Sequence, residues 1–185
     1  PMDSPRPSRP VPSASPPAMK YRTLPGSDLQ LSAVGLGCWT LGGEHWGADP
    51  GEAAASATIA AALELGINWF DTSPIYARAD ERLLAALGSR RHDLILATKV
   101  GVRRDSKGHA SSDLSPAHIL ADTEATLRRL QLDTIPLLQV HWPCEQHTPI
   151  AATLDALAAL KAAGKVRHIG LCNYAPAGLA TALAA

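Results

Sequence analysis

Five short β-rich apolar runs, near Ala33–Trp39, Ile67–Thr72, Leu94–Val100, Ile135–His141 and His168–Asn173, alternate with Ala/Leu-rich stretches of helical length. That alternation is the strongest constraint on the chain. Consecutive strands joined by helical crossovers pair in parallel, so the rhythm demands an α/β fold. The helices carry their own punctuation. One runs over Glu52–Leu65 and stops at Gly66, a second opens at Ser115–Pro116 and reaches Leu130, and a third opens at Thr148–Pro149 and ends at Gly164. Ahead of them, Pro25, Gly26 and Ser27 separate two short alternating runs, which predicts an entrance hairpin.

Two architectures satisfy this rhythm, a doubly wound open sheet and a (β/α)8 barrel, and periodicity does not choose between them. The first strand-to-helix turn reads GLGCWTLGG, which lacks the GxGxxG spacing of a dinucleotide-binding sheet. Polar residues able to do chemistry instead stand at the C-terminal ends of successive runs: Asp71, Lys99, His141 and Asn173. In a parallel barrel that end carries the active site.

Composition narrows the partners. The 185 residues are 46% apolar, enough for a sizeable core, and 17 basic residues balance 17 acidic ones. A neutral chain gives no electrostatic case for nucleic acid or an anionic membrane, so a small molecule is the expected partner. Cys38, Cys144 and Cys172 are widely spaced with no CxxC pair, which argues against a disulfide framework and a zinc site and fits a reducing cytoplasm. They read as packing residues. Residues 1–18, PMDSPRPSRPVPSASPPA, are too rich in Pro and Ser to bury much surface, and a disordered extension is expected there, with the domain over residues 19–185.

Asp71 and Tyr76 lie in NWFDTSPIY, Lys99 in LATKVG and His141 in QVHWP. Taken singly, each has a bland reading as a loop carboxylate, a packing phenol, a strand-end lysine or a core histidine. Together they form a set suited to carbonyl reduction. Hydride addition leaves negative charge on the carbonyl oxygen, which a nearby phenol can protonate. Lys99 would lower the Tyr76 pKa, Asp71 would hold the lysine charged, and His141 would orient the substrate oxygen. His45, His92, His109, His118, His147 and His168 share no metal-ligand spacing. Arg103, Arg104 and Lys107 read as a solvated loop rather than a phosphate clamp, and the ArgArg of TLRRL as a helix surface.

The motifs GLGCWTLGG, GINWFDTSPIY, ILATKVG, TLRRLQLD, VHWP and GKVRHIGLCNY occur in the order and rough spacing of the aldo-keto reductases. From Tyr21 to about Ala177 the chain resembles that family, with the bacterial stress-protein and inositol-utilisation branches most similar. The resemblance implies a TIM-type barrel reducing aldehydes or ketones with NADP(H), NAD(H) being the alternative cofactor. It implies a catalytic tetrad of Asp71, Tyr76, Lys99 and His141, with Tyr76 as proton donor. It also implies that Asn173 holds the nicotinamide carboxamide beside Cys172, where the family usually has serine. Gly37, Cys38 and Trp39 would lie along the cofactor, and Trp46 and Trp142 would wall the substrate pocket.

Three departures stand out. Ala77 replaces the glycine that usually follows the tyrosine, Asp80 stands where serine usually precedes Glu81, and Pro136 removes a ladder donor inside an expected central strand. A barrel of this type takes roughly 250 residues, so an incomplete one is expected: the hairpin plus about five of eight βα units. A full-length member would be a monomer, whereas an unclosed chain could self-associate through its edges. The alternative function is accordingly an inactive remnant acting as a binding or interaction protein.

Overall fold

The computed structural model describes residues 18–44, 46–105, 107–144 and 148–185. The expectations for the extension up to residue 17, for His45 and for His147 lie outside the described residues. The entrance hairpin forms as expected, with β1 (Tyr21–Thr23) antiparallel to β2 (Gln30–Ser32).

Five parallel strands follow in one sheet: β3 (Leu36–Gly37), β4 (Trp69–Asp71), β5 (Ile95–Val100), β8 (Ile135–Val140) and β9 (Val166–Leu171). They lie in chain order, so each crossover adds the next strand on the same side, the winding of a barrel and not of a doubly wound sheet. Each pair is linked by a helix: α1 (Gly51–Glu64) and α2 (Ala79–Leu87) before β5, α3 (Pro116–Leu130), α4 (Ile150–Ala162), with α5 (Pro176–Leu183) after β9. The edges of this sheet are β3 and β9.

Side-chain alternation sorts each strand between two faces. Phe70, Leu96, Leu138 and Val140 point outward and are buried against Ile59, Leu83, Ile119, Leu130 and Leu157 of the helices. The intervening residues, Asp71, Ala97, Lys99, Leu137 and Gln139, face the concave side, and the register sets Asp71 beside Ala97 and Lys99 beside Gln139. Gln139 lies beside Gly170, where a Cβ would stand 3.1 Å from Gln139 Cγ. The missing side chain makes room for the glutamine.

Local chemistry accounts for most boundaries. Ser115 Oγ accepts from the His118 amide at 3.4 Å with Pro116 in the first turn of α3, the predicted cap. The third helix differs from expectation, because it begins at Ile150 behind Pro149 with no side-chain cap, so Thr148 does not serve as one. Pro136 is accommodated at the second position of β8, where pairing with β5 has not begun; the register with β5 starts at Leu137. Sequence periodicity did not reveal α2, nor the antiparallel hairpin β6 (Val102–Arg104) and β7 (Ala110–Ser112). Nor was TLRRL all surface: Arg128 is exposed, whereas Arg129 pairs with buried Asp80 of α2. No helix among the described residues is long and apolar enough to cross a membrane.

Candidate active site

The C-terminal ends of the strands converge on a cavity of about 600 Å³. Asp71 ends β4, Lys99 is the penultimate residue of β5, His141 follows β8, and Asn173 stands two residues past β9. Ladder bonds continue beyond the strands and hold these ends in register, His141 N donating to Val100 O at 3.0 Å and Cys172 N to Val140 O at 2.8 Å.

Buried Lys99 is the hub. Its ammonium is ion-paired with Asp71 Oδ1 and donates to Thr72 O at 3.1 Å, while Gln139 Nε2 donates to Asp71 Oδ2 at 3.0 Å. Both carboxylate oxygens are therefore engaged, which fixes the lysine. The ammonium lies 5.0 Å from the centroid of the Tyr76 ring, whose other neighbours are Trp39, stacked at 5.6 Å and 14°, and His141, edge-on at 5.9 Å. Tyr76 is positioned by the loop between β4 and α2. Gly42, at the end of the 3₁₀ turn Trp39–Gly42, passes so close that a Cβ there would lie 2.2 Å from Tyr76 O. Glycine is what lets the Trp39 turn rest on the tyrosine segment. Ala77 adopts φ 44°, the left-handed conformation that glycine takes without cost, so its replacement of glycine is accommodated at some strain.

Lys99 acts on the Tyr76 pKa in the expected direction, but burial outweighs it. Burial raises the phenol above its ordinary value, and the Lys99 charge lowers it only in part, so the net direction is upward. The phenol is held protonated, ready to donate. His141 moves the other way: burial, then the Lys99 charge, lowers it to about 4, with Asp71 opposing. It is neutral near pH 7. Its Nδ1 lies 3.2 Å from Ser73 Oγ, so Nε2 is the nitrogen left for a substrate oxygen.

The sign of the resulting pH dependence follows. Below pH 6.5 the unfolded chain takes up a proton that folded His141 refuses until about pH 4, so stability present above 6.5 is lost as the pH falls toward 4. Urea unfolding across that window is expected to show a declining free energy whose slope flattens in His141→Asn. An unchanged slope would assign the decline to other groups.

Trp142 and Asn173 also line the cavity, and Asn173 Nδ2 donates to His141 O at 2.9 Å and Cys172 Sγ at 3.3 Å. Three residues of the expected site lie apart from it. Gly37 is on the exposed edge strand, and Cys38 is fully buried in the core with its thiol pushed up to about 12 by burial, so its side chain cannot reach a ligand. Trp46 is 62% exposed and packs edge-on against Trp39 at 5.3 Å instead of walling the cavity. Gln139, Ser73 and Arg104 were not anticipated. Gln139 was legible, since two residues before His141 on a strand means the same face.

The strand order and winding place the chain among parallel (β/α) barrels, here an incomplete one. A model of the aldo/keto reductase family matches residues 33–184, and the chain belongs to that family. It is 37% identical over 161 residues to the aldo-keto reductase YhdN of Bacillus subtilis, covering 84% of this chain and 47% of that protein. It is 33% identical over 170 residues to the NADH-specific methylglyoxal reductase of Escherichia coli, covering 84% and 52%. Among solved structures, the holo form of aldo-keto reductase AKR11C1 from Bacillus halodurans superposes with a TM-score of 0.79 at 37% identity, covering 90% of this chain and 54% of that one. The chain spans about half the length of the relatives it matches.

Proposed function

We propose that the cavity reduces an aldehyde or ketone to the alcohol, using NADP(H) or, as in the name of the Escherichia coli relative, NADH. The observation that carries this reading is the convergence of Asp71, Tyr76, Lys99 and His141 from three strand ends onto one cavity. The residues present fit the nicotinamide end of such a cofactor. Asn173 engages its amide nitrogen within the protein and keeps its carbonyl oxygen to accept from a carboxamide N–H. When bound, the reduced nicotinamide supplies a hydride to the carbonyl carbon.

The protein's own groups handle the oxygen. Neutral His141 donates from Nε2 to the carbonyl oxygen and polarises it. Tyr76 then gives its proton as negative charge develops there, and the Lys99 ammonium stabilises the phenolate left behind. Asp71, engaged by both Lys99 and Gln139, holds that ammonium in place. The wide cysteine spacing, with no CxxC pair, suits a reducing cytoplasm.

A second reading has its own observation, the β3 and β9 edges, which pair with no further strand among the described residues and suit an inactive relative that works by association. Fluorescence titration of the 185-residue chain with NADPH and NADH, beside size-exclusion chromatography, separates the two. Saturable binding by a monomer is expected on the first reading. A folded, self-associated species that binds neither nucleotide would support the second.

A further inference from the structure

Among the residues lining the cavity the charged ones are Asp71, Lys99 and Arg104. Asp71 and Lys99 neutralise each other and His141 is uncharged, so among these described lining residues the charge left over is that of Arg104, which Glu44 faces from outside the lining at 3.7 Å. The sequence alone placed Arg104 in a solvated basic loop with Arg103 and Lys107. The β6–β7 hairpin divides them instead. Arg103 points away and is 59% exposed, with Asp113 at 3.5 Å, whereas Arg104 is 34% exposed and turns into the cavity wall.

Arg104 is also well anchored. Its Nη1 donates to Gly108 O at 3.0 Å and its Nη2 to Ile75 O at 3.3 Å, which ties it to the residue beside Tyr76. Two carbonyls occupy two of the five guanidinium N–H groups and leave donors over for a ligand. The nearest carboxylate, Glu44 at 3.7 Å, lies beyond hydrogen-bond length and is itself half exposed. The pairing is thus loose. An anion in the cavity would compete with Glu44 for the guanidinium donors left over.

We infer that Arg104 is a specificity residue that selects carbonyl substrates carrying an anionic group, a carboxylate or a phosphate, with Glu44 acting as a competing internal anion. This rests on the reading of the cavity as the carbonyl site. An acidic substrate would set its carbonyl against Tyr76 and His141 and its anion against Arg104, so charge at the far end fixes the orientation of the reacting end.

The test uses quenching of Trp39 and Trp142 fluorescence in the full chain, without cofactor and at low salt. The probes are 4-oxobutanoate against its neutral amide, and glycolaldehyde phosphate against glycolaldehyde. The acid is expected to bind about tenfold more tightly than the amide, the ratio typical of a single charge-assisted hydrogen bond. Arg104→Gln should bring that ratio to within about twofold while leaving the amide's affinity in place, Glu44→Gln should increase it, and Arg103→Gln should leave it unaltered. An equal gain for the phosphate would show that charge is what Arg104 reads; a gain confined to the acid would show that carboxylate shape is read as well. Equal binding of acid and amide by the wild-type chain overturns the inference alone, as does a loss of preference in Arg103→Gln matching that in Arg104→Gln. Failure of all four probes to bind counts against the carbonyl site itself and takes the inference with it.

Discussion

On the proposed reading, replacing Tyr76 by Phe is expected to lower carbonyl reduction by about 10²–10⁴-fold, the span covered by a positioned general acid, with nucleotide affinity within about twofold of wild type. The substitution removes one oxygen and keeps the ring. Its stacking on Trp39 and edge contact with His141 survive, so the turn and the cavity wall should hold their shape. What disappears is the proton. Burial holds the phenol above its ordinary pKa, so no loss of acid form with rising pH should mimic the effect near neutrality. Lys99→Met should fall as far in turnover, since the phenolate would form without its ammonium and Asp71 would lose its partner. Turnover of Tyr76→Phe at the wild-type rate would remove Tyr76 from its assigned role, and an equal loss of nucleotide binding would make its role structural.

The second large effect concerns stability. Asp80 is 4% exposed and joins three parts of the molecule: it accepts from Thr72 Oγ1 at 2.6 Å and from Arg129 Nε at 2.6 Å, while sitting in the first turn of α2. Asp80→Ala leaves a guanidinium and a buried hydroxyl without their acceptor. Removing one member of a buried ion pair costs 3–5 kcal/mol as a rule, and because Arg129 is 32% exposed and can recruit water, a loss of about 3 kcal/mol is expected. Asp80→Asn keeps the shape and one acceptor and should cost about half as much. Urea denaturation with unchanged m-value would measure both. A loss below about 1 kcal/mol in Asp80→Ala would show the network to be incidental. The site should feel the change too, because Thr72 also receives the Lys99 ammonium at its carbonyl oxygen.

Asp80 illustrates where sequence reading falls short. In the sequence it stands only as a departure from the family pattern, and Arg129 as half of a surface pair. Their attraction spans 49 residues and depends on how α2 packs beside α3, which no local pattern encodes. The helix α2 was hidden for a related reason. Its nine residues bury Asp80 and Arg82 along with Ala79, Leu83 and Leu87, so the buried stripe is partly charged and does not read as apolar periodicity. Arg82 is satisfied by Leu41 O at 2.6 Å and by Asp49 and Glu52, partners drawn from elsewhere in the chain.

By itself the sequence determined the strand and helix rhythm, the entrance hairpin, the Ser115–Pro116 helix start and the residues that end each strand. These follow from side-chain period, capping chemistry and turn residues, all of which act over a few positions. It also carried the family, because several motifs keep their order. Only the tertiary structure decided which of those residues share a cavity. It drew Asp71, Tyr76, Lys99 and His141 together, left Gly37, Cys38 and Trp46 outside, and turned Arg104 inward while Arg103 faced water. Strand register and loop packing fix such distances, and both are settled by contacts between segments far apart in the chain.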